Sequence, residues 1–370
     1  MSFFYTACAL LIGSLGTLTP KFLLSSSCNS CGDSFPHAPL AAASCVFIGQ
    51  MFCLIVPFSQ KKRFLGVTRF SFLLLPSILA LLGTGAQIAS LLFLPASVLS
   101  GFRGLLILWT AQLSSYFGFS DSPASPLEWR YIYTCVFGTL LIGLSAFLEA
   151  HFYGELGGEG GSGVGAAISS VSVLFGITFA VVGYGLASAQ VALEQMMLSS
   201  FTRWEILGVE GAIGTFLFFI LMVPLQLSFN YSGGSSGAGV WGVLDVPSHT
   251  ICCLEHSNFA VPGWAIMYGL VAVAFNSLLL LLSQTIGPNY RVFIFTSRGA
   301  ITLLLEYALW YSGGFGGVKG SPLTPYSSLE LFGFGLLIYG GIKRAELIAP
   351  PAIQKDAAAQ LLLHSESDEY

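Results

Sequence analysis

Residues 95–116 read PASVLSGFRGLLILWTAQLSSY, an apolar stretch of membrane-crossing length whose one charge is Arg103. A spanning helix needs about 20 predominantly apolar residues. A charge at its centre costs at least about 2.5 kcal/mol to insert, so Arg103 requires a use. A second stretch, residues 288–311, has the same anatomy: it opens on a proline and carries Arg298 in TSRGA where the first has Arg103 in GFRGL. Two arginines in matching places point to a duplicated architecture around a polar centre.

The rest of the chain is of the same kind. It is 54% hydrophobic and 9% charged over 370 residues, with a mean hydropathy of +0.78, whereas soluble domains carry about 25% charged residues. This is an integral membrane protein. A net charge of −4 and the lack of a long basic tract exclude nucleic-acid affinity as its organising property. The first residues, MSFFYTACALLIGSLGTLTP, lack a basic n-region, and their apolar run outlasts a signal-peptide core, so they predict a retained first span.

Ten segments meet the spanning criterion: Phe3 to Leu24, Pro39 to Ser59, Thr68 to Leu94, Pro95 to Tyr116, Leu127 to Ala150, Ile168 to Leu198, Trp204 to Phe229, Asn258 to Ile286, Pro288 to Tyr311 and Pro325 to Ile348. Leu94-Pro95 and Gly287-Pro288 interrupt the helical ladder and predict tight hairpins, because proline has no N–H to donate. The Gly-rich segment 154–167 falls midway. It divides the chain into a first five-helix repeat (1–153) and a second (168–349, with a long loop at 230–257), followed by a tail (350–370). Five is odd, so the second repeat enters the membrane from the opposite face. The expected fold is an all-α membrane protein, ten transmembrane helices arranged as two inverted-topology five-helix repeats.

Basic residues orient it. With the N-terminus in the cytosol, the cytosolic segments collect Lys61, Lys62, Arg63, Arg69, Arg130, Arg203, Arg291, Lys343, Arg344 and Lys355, and the other side keeps Lys319 and Lys21. Both termini are therefore expected to be cytosolic. On the opposite, lumenal side lie the N-x-S sequon at Asn230, a glycosylation candidate, and Cys28, Cys31, Cys252 and Cys253, read as disulfide candidates with the pairing open. Cys8, Cys45, Cys53 and Cys135 fall within spans, as small apolar packers. No metal site and no cofactor are expected. His249 and His256 near Cys252 and Cys253 leave lumenal zinc as a minor alternative. The linker has no Ser, Thr or Lys in phosphate-loop spacing.

Inside the membrane the polar groups are few. Arg103 lies about 12 Å from the start of its span and Arg298 about 15 Å from the start of its own, both near the midplane of a core about 30 Å thick. Gln87, Gln190 and Asn276 are the deep neutral groups, and Glu210 and Glu194 the deep acidic ones. In one reading the arginines line a cavity and hold an anionic or carbonyl-rich solute, with Glu210 or Glu194 as coupling or gate groups. In the other they are locked to those glutamates or to helix-end carbonyls and hold the bundle together. Glu149, His151 and Glu306, toward span ends, are read as interfacial solvation, with a proton relay as the alternative. The glycine-rich stretch 331–343 is read either as a homodimer contact or as packing within one chain.

The stretches FPHAPLAAASCVFIGQMFCL, LSGFRGLLILWTAQL, VALEQMM, LGVEGAIG and FTSRGAITLLLEYALW, in this order, resemble the drug/metabolite transporter superfamily. Within it, the chain resembles the F-type branch of solute carrier family 35 and, more distantly, chloroquine-resistance-transporter-like proteins. The resemblance runs from about Leu15 to Ala345. It implies a non-enzymatic secondary transporter, proton-coupled or exchanging, that moves a small-molecule solute across an endomembrane of lysosomal, vacuolar or Golgi type. Nucleotide sugars are an alternative cargo, and a non-transporting scaffold on the same fold an alternative function. Where the family pattern has an acidic residue in the third span, this chain offers Gln87, so cation binding is not implied. The tail QKDAAAQLLLH resembles an acidic dileucine sorting signal with longer spacing.

Overall fold

The structure, a computed structural model, describes residues 2–25, 39–59, 67–116, 125–153, 170–198, 201–231, 260–285, 288–313 and 323–348. Cys28, Cys31, Cys252, Cys253, the linker and the tail lie outside the described residues.

Every described regular element is helical: α1 (Ser2–Ser25), α2 (Pro39–Met51) running through a 3-10 turn (Phe52–Leu54) into α3 (Ile55–Ser59), α4 (Val67–Ser90), α5 (Ala96–Gly101), α6 (Gly104–Tyr116), α7 (Pro126–Tyr153), α8 (Ser170–Met197), α9 (Arg203–Tyr231), α10 (Ala260–Thr285), α11 (Pro288–Tyr311) and α12 (Ser327–Ile348). Among the described residues, eight stretches are long and apolar enough to cross a membrane, from Phe4–Leu24 to Val261–Leu282. α11 and α12, of 24 and 22 residues, are long enough but carry Arg298 and Glu306, and Glu330, Lys343 and Arg344, respectively. Helices suit lipid because each closes its own backbone hydrogen bonds. Phe137, Leu140, Phe175, Phe216 and Leu270 remain exposed on the outer faces, where hydrocarbon replaces water.

Two expectations change. The fourth span is not one helix: it breaks at Phe102 and Arg103, between glycines 101 and 104. There the ladder tightens, with Arg103 N donating to Ser100 O (3.3 Å) and Leu106 N to Arg103 O (3.0 Å). The third span ends at Ser90, and residues 91–94 turn the chain into α5, at the break expected beside Pro95. The seventh span, α9, extends through Tyr231, so the sequon's Asn230 lies in its last turn rather than beyond it.

Helices approach most closely where both carry glycine. A Cβ at Gly138 of α7 would lie 2.6 Å from Gly333 O of α12, and one at Gly49 of α2 would lie 2.9 Å from Gly269 O of α10. Such contacts bring backbones together without intervening side chains. Gly333 and Gly340 of the glycine-rich stretch thus face α7 of the same chain. Several buried hydroxyls are satisfied on their own helices: Ser77 by Leu73 O (2.6 Å), Thr110 by Leu106 O (2.5 Å) and Ser188 by Tyr184 O (2.7 Å).

Packing neighbours are α7 with α12, α4 with α8, α1 with α10 and α11, α2 with α9 and α10, α4 with α9, α6 with α8, and α5 with α11. The largest apolar core, around Leu99, Phe102, Ile107, Ile142, Leu303 and Phe334, surrounds the break at Arg103. At the opposite end from the Arg344–Glu128 ion pair (3.0 Å) that joins α12 to α7, the chain would pass from α7 to α8; this is called the linker end below.

Candidate functional site

α11 carries Arg298 into the middle of the bundle, and two aromatic rings hold it there. The guanidinium lies 4.2 Å from the ring centre of Phe275 on α10 and 4.8 Å from that of Phe295, in the corner these rings make with each other. Arg298 Nη1 donates to Gly13 O of α1 (3.2 Å). A side chain at residue 13 would meet the Phe275 ring at 2.5 Å and Arg298 Cδ at 2.8 Å, so this approach requires glycine.

Arg103 reaches the same turn of α1 from the break between α5 and α6. Its Nη2 donates to Thr17 Oγ1 (2.9 Å) and its Nη1 to Ser100 Oγ (3.2 Å). Thr17 Oγ1 in turn donates to Gly13 O (3.2 Å), the oxygen that receives Arg298. One hydrogen-bonded chain therefore links the two arginines through a single turn of α1. The break in the fourth span frees Leu99 O, and Tyr184 OH of α8 donates to it (3.0 Å). That meets the rule that a backbone carbonyl inside a membrane needs a donor.

Both arginines are buried, 3% and 7% exposed, and neither is ion-paired to a carboxylate among the described residues. The Nε of each has no hydrogen-bond partner. Beside Arg298 lies a cavity of about 140 Å³, lined also by Gln50, Gln87, Gln190, Asn276, Tyr184 and Tyr268. Its edges are partly committed: Gln87 Nε2 donates to Gly183 O (3.3 Å) and Gln190 Nε2 to Glu194 Oε1 (2.6 Å), while Gln50 Oε1 has no partner.

The sequence-derived residues thus separate. Arg298, Gln87, Gln190 and Asn276 line the cavity. Arg103 sits one layer behind, hydrogen-bonded to α1. Glu194 is buried behind Gln190, and Glu210 is buried on α9, whose neighbouring glycines 208 and 211 lie against Leu54 and Met51. The two glutamates are not cavity-lining, and the arginines are held by hydroxyls, a backbone carbonyl and rings instead of by them. Gln50, Tyr184 and Tyr268 were not expected. Gln50 gave the same signal as Gln87, a lone amide in an apolar run, whereas buried tyrosines read as core.

Glu306 also departs from expectation. It is fully buried rather than interfacial. Its Oε1 pairs with Lys21 Nζ of α1 at 2.6 Å and accepts Ala96 N at 3.1 Å, and its Oε2 accepts Ser97 N at 2.9 Å. It thereby satisfies the first amides of α5, which lack intrahelical acceptors. Nearby, Phe22 stacks on Trp264 at 4.7 Å, joining α1 to α10. His151, by contrast, is exposed as expected.

The architecture defines a multi-pass helical membrane protein with a polar, positively charged centre, the form of a small-solute transporter. The chain is similar to solute carrier family 35 member F6 of Mus musculus, at 22% identity over 92% of this chain and 89% of that protein. The human protein of the same name is 21% identical over 91% and 86%, respectively. An uncharacterized protein of Schizosaccharomyces pombe is 26% identical over 73% of this chain and 72% of its own length. No protein-family model matches. A solved crystal structure of 14% identity superposes with a TM-score of 0.50, covering 92% of this chain and 99% of that one, a likeness of fold alone.

Proposed function

We propose that the protein is a secondary transporter of small organic anions across an endomembrane, working by alternating access. The observation that carries this reading is a buried guanidinium, Arg298, at a central cavity, with a second, Arg103, one layer behind it, and no carboxylate ion-paired to either among the described residues. A charge buried without a counterion is unfavourable, and a solute carboxylate would supply the counterion. Arg298 offers its unpartnered Nε beside rings that hold the guanidinium plane, a donor arrangement suited to a carboxylate. The neutral amides of Gln50, Gln87, Gln190 and Asn276 would read the remainder of the solute.

The cavity's size narrows the cargo. An engineered protein cavity of about 150 Å³ admits benzene, so about 140 Å³ suits a small carboxylate better than a nucleotide sugar.

A ten-span inverted repeat is part of the same reading, and the helix contacts support it. Exchanging the helices of the two halves turns the α1–α10 contact into α8–α4, α1–α11 into α8–α6, and α2–α10 into α9–α4, and each of these pairs occurs. The α7–α12, α2–α9 and α5–α11 contacts map onto themselves. Arg103 and Arg298 then come from equivalent spans. The test is uptake into proteoliposomes containing the purified protein, with small carboxylates, zwitterions, organic cations and a nucleotide sugar compared. Saturable carboxylate uptake is expected, and folded protein that moves none of the anions overturns the reading.

A further inference from the structure

At the linker end, five elements converge on one buried polar cluster. Lys21 comes from α1, Ser97 from α5, Glu149 from α7, Glu306 and Tyr307 from α11, and Glu330 from α12. The three carboxylates lie within electrostatic reach of one another, and Lys21 within reach of Glu306 and Glu330, so two of the three share one ammonium. Glu306 is fully engaged, on Lys21 and on the amides of Ala96 and Ser97. Glu330 is not: it is 6% exposed, and its Oε1 has no hydrogen-bond partner. Around it, Ser97 Oγ and Tyr307 OH are also buried and unpartnered.

We propose that this cluster is a proton-binding site, in which Glu330 holds a proton while the linker end is closed and releases it when that end opens. The proton adds from water at the linker end to a Glu330 carboxyl oxygen, forming an O–H bond, while Lys21 keeps its ammonium and Glu306 its carboxylate. A buried carboxylate oxygen with no donor is unfavourable as an anion. As an acid it gains a donor, which Ser97 Oγ beside it can accept. The described carboxylates do not converge in a metal-holding arrangement, so the geometry suits a proton rather than a metal ion.

The consequence for the clasp is electrostatic. With Glu330 neutral, Lys21 is left to Glu306, and the bonds tying α1, α5 and α11 together hold. With Glu330 and Glu149 both ionised, both repel Glu306, and Glu330 competes with it for Lys21. Closure and proton binding are then linked, and acid on the linker side favours closure. The use of this linkage to drive solute movement rests on the transporter reading above, whereas the proton site itself does not.

Hydrogen–deuterium exchange of the purified full-length protein reads the clasp without needing transport. The peptides of interest cover 18–24, 95–101 and 303–311, compared at pH 5 and pH 7.5 after correction for intrinsic exchange. In the unaltered protein these peptides should be roughly tenfold better protected at pH 5, the effect of about one unit of linked proton affinity. Glu330→Gln, a mimic of the protonated acid, should give high protection at both pH values, and Glu306→Gln low protection at both. Equal pH dependence in the unaltered protein and Glu330→Gln, or none in the unaltered protein, overturns the proposal. The expected exchange pattern in a protein that moves no solute would sink the transporter reading and leave the proton site standing.

Discussion

Replacing Arg298 with glutamine separates a solute-binding arginine from a structural one, because the structure gives the two roles different magnitudes. The substitution removes one charged hydrogen bond to Gly13 O, worth about 1.5–3 kcal/mol, and two ring contacts, worth about 0.5–2 kcal/mol each. Against this it relieves a buried charge with no paired carboxylate, about 2.5–3.5 kcal/mol at the middle of a span. The two sides largely offset, leaving a net loss of about 2 kcal/mol at mid-range and about 4.5 kcal/mol at most. Solute binding has no such offset. A carboxylate held by two charge-assisted bonds would lose about 3–6 kcal/mol, a fall in affinity of roughly 100-fold or more. Heating followed by size-exclusion chromatography in detergent reads the first quantity, and carboxylate uptake into proteoliposomes the second. Loss of the folded species with uptake per folded molecule unchanged would refute the reasoning.

Four further outcomes are expected. Gly138→Leu should abolish the folded monomer peak in size-exclusion chromatography, because a Cβ there already lies 2.6 Å from Gly333 O. Gly335→Ala, with nothing within 4 Å, should leave the peak unchanged or shift its melting upward by up to about 1 kcal/mol. Thr17→Val removes the hydroxyl that accepts Arg103 Nη2 and donates to Gly13 O, and should destabilise by about 1–3 kcal/mol in thermal melts. Glu128→Gln and Arg344→Gln, which break the nearly buried α7–α12 ion pair, should each destabilise by about 3 kcal/mol or more. The double variant should lose less than the sum of the two, as read by a double-mutant cycle.

The apolar runs and their punctuation were legible because lipid imposes a simple rule on them: residues 95–116 and 288–311 had to be helical, and their arginines had to turn inward. The amides Gln87, Gln190 and Asn276 were legible for the same reason. The break at Arg103 was less so, although glycines 101 and 104 flank it, because glycine is common in membrane helices without breaking them. Glu306 was misread because its partner, Lys21, lies 285 residues away, and only the fold brings α1 against α11. The arginines' partners were hidden for a related reason: hydroxyls and a glycine carbonyl carry no charge signature in a sequence.

The backbone contacts at Gly49–Gly269 and Gly138–Gly333 have a mechanical consequence. Helices that touch through side chains must reset rotamers before they can slide, whereas helices that meet backbone to backbone present smooth faces. Shear along such a seam meets few steric steps. In the alternating-access cycle proposed above, the glycine pairs would act as bearings, letting two halves rock past one another with their cores intact. A methyl group placed in either seam would act as grit, slowing the exchange of conformers even where the resting fold tolerates it.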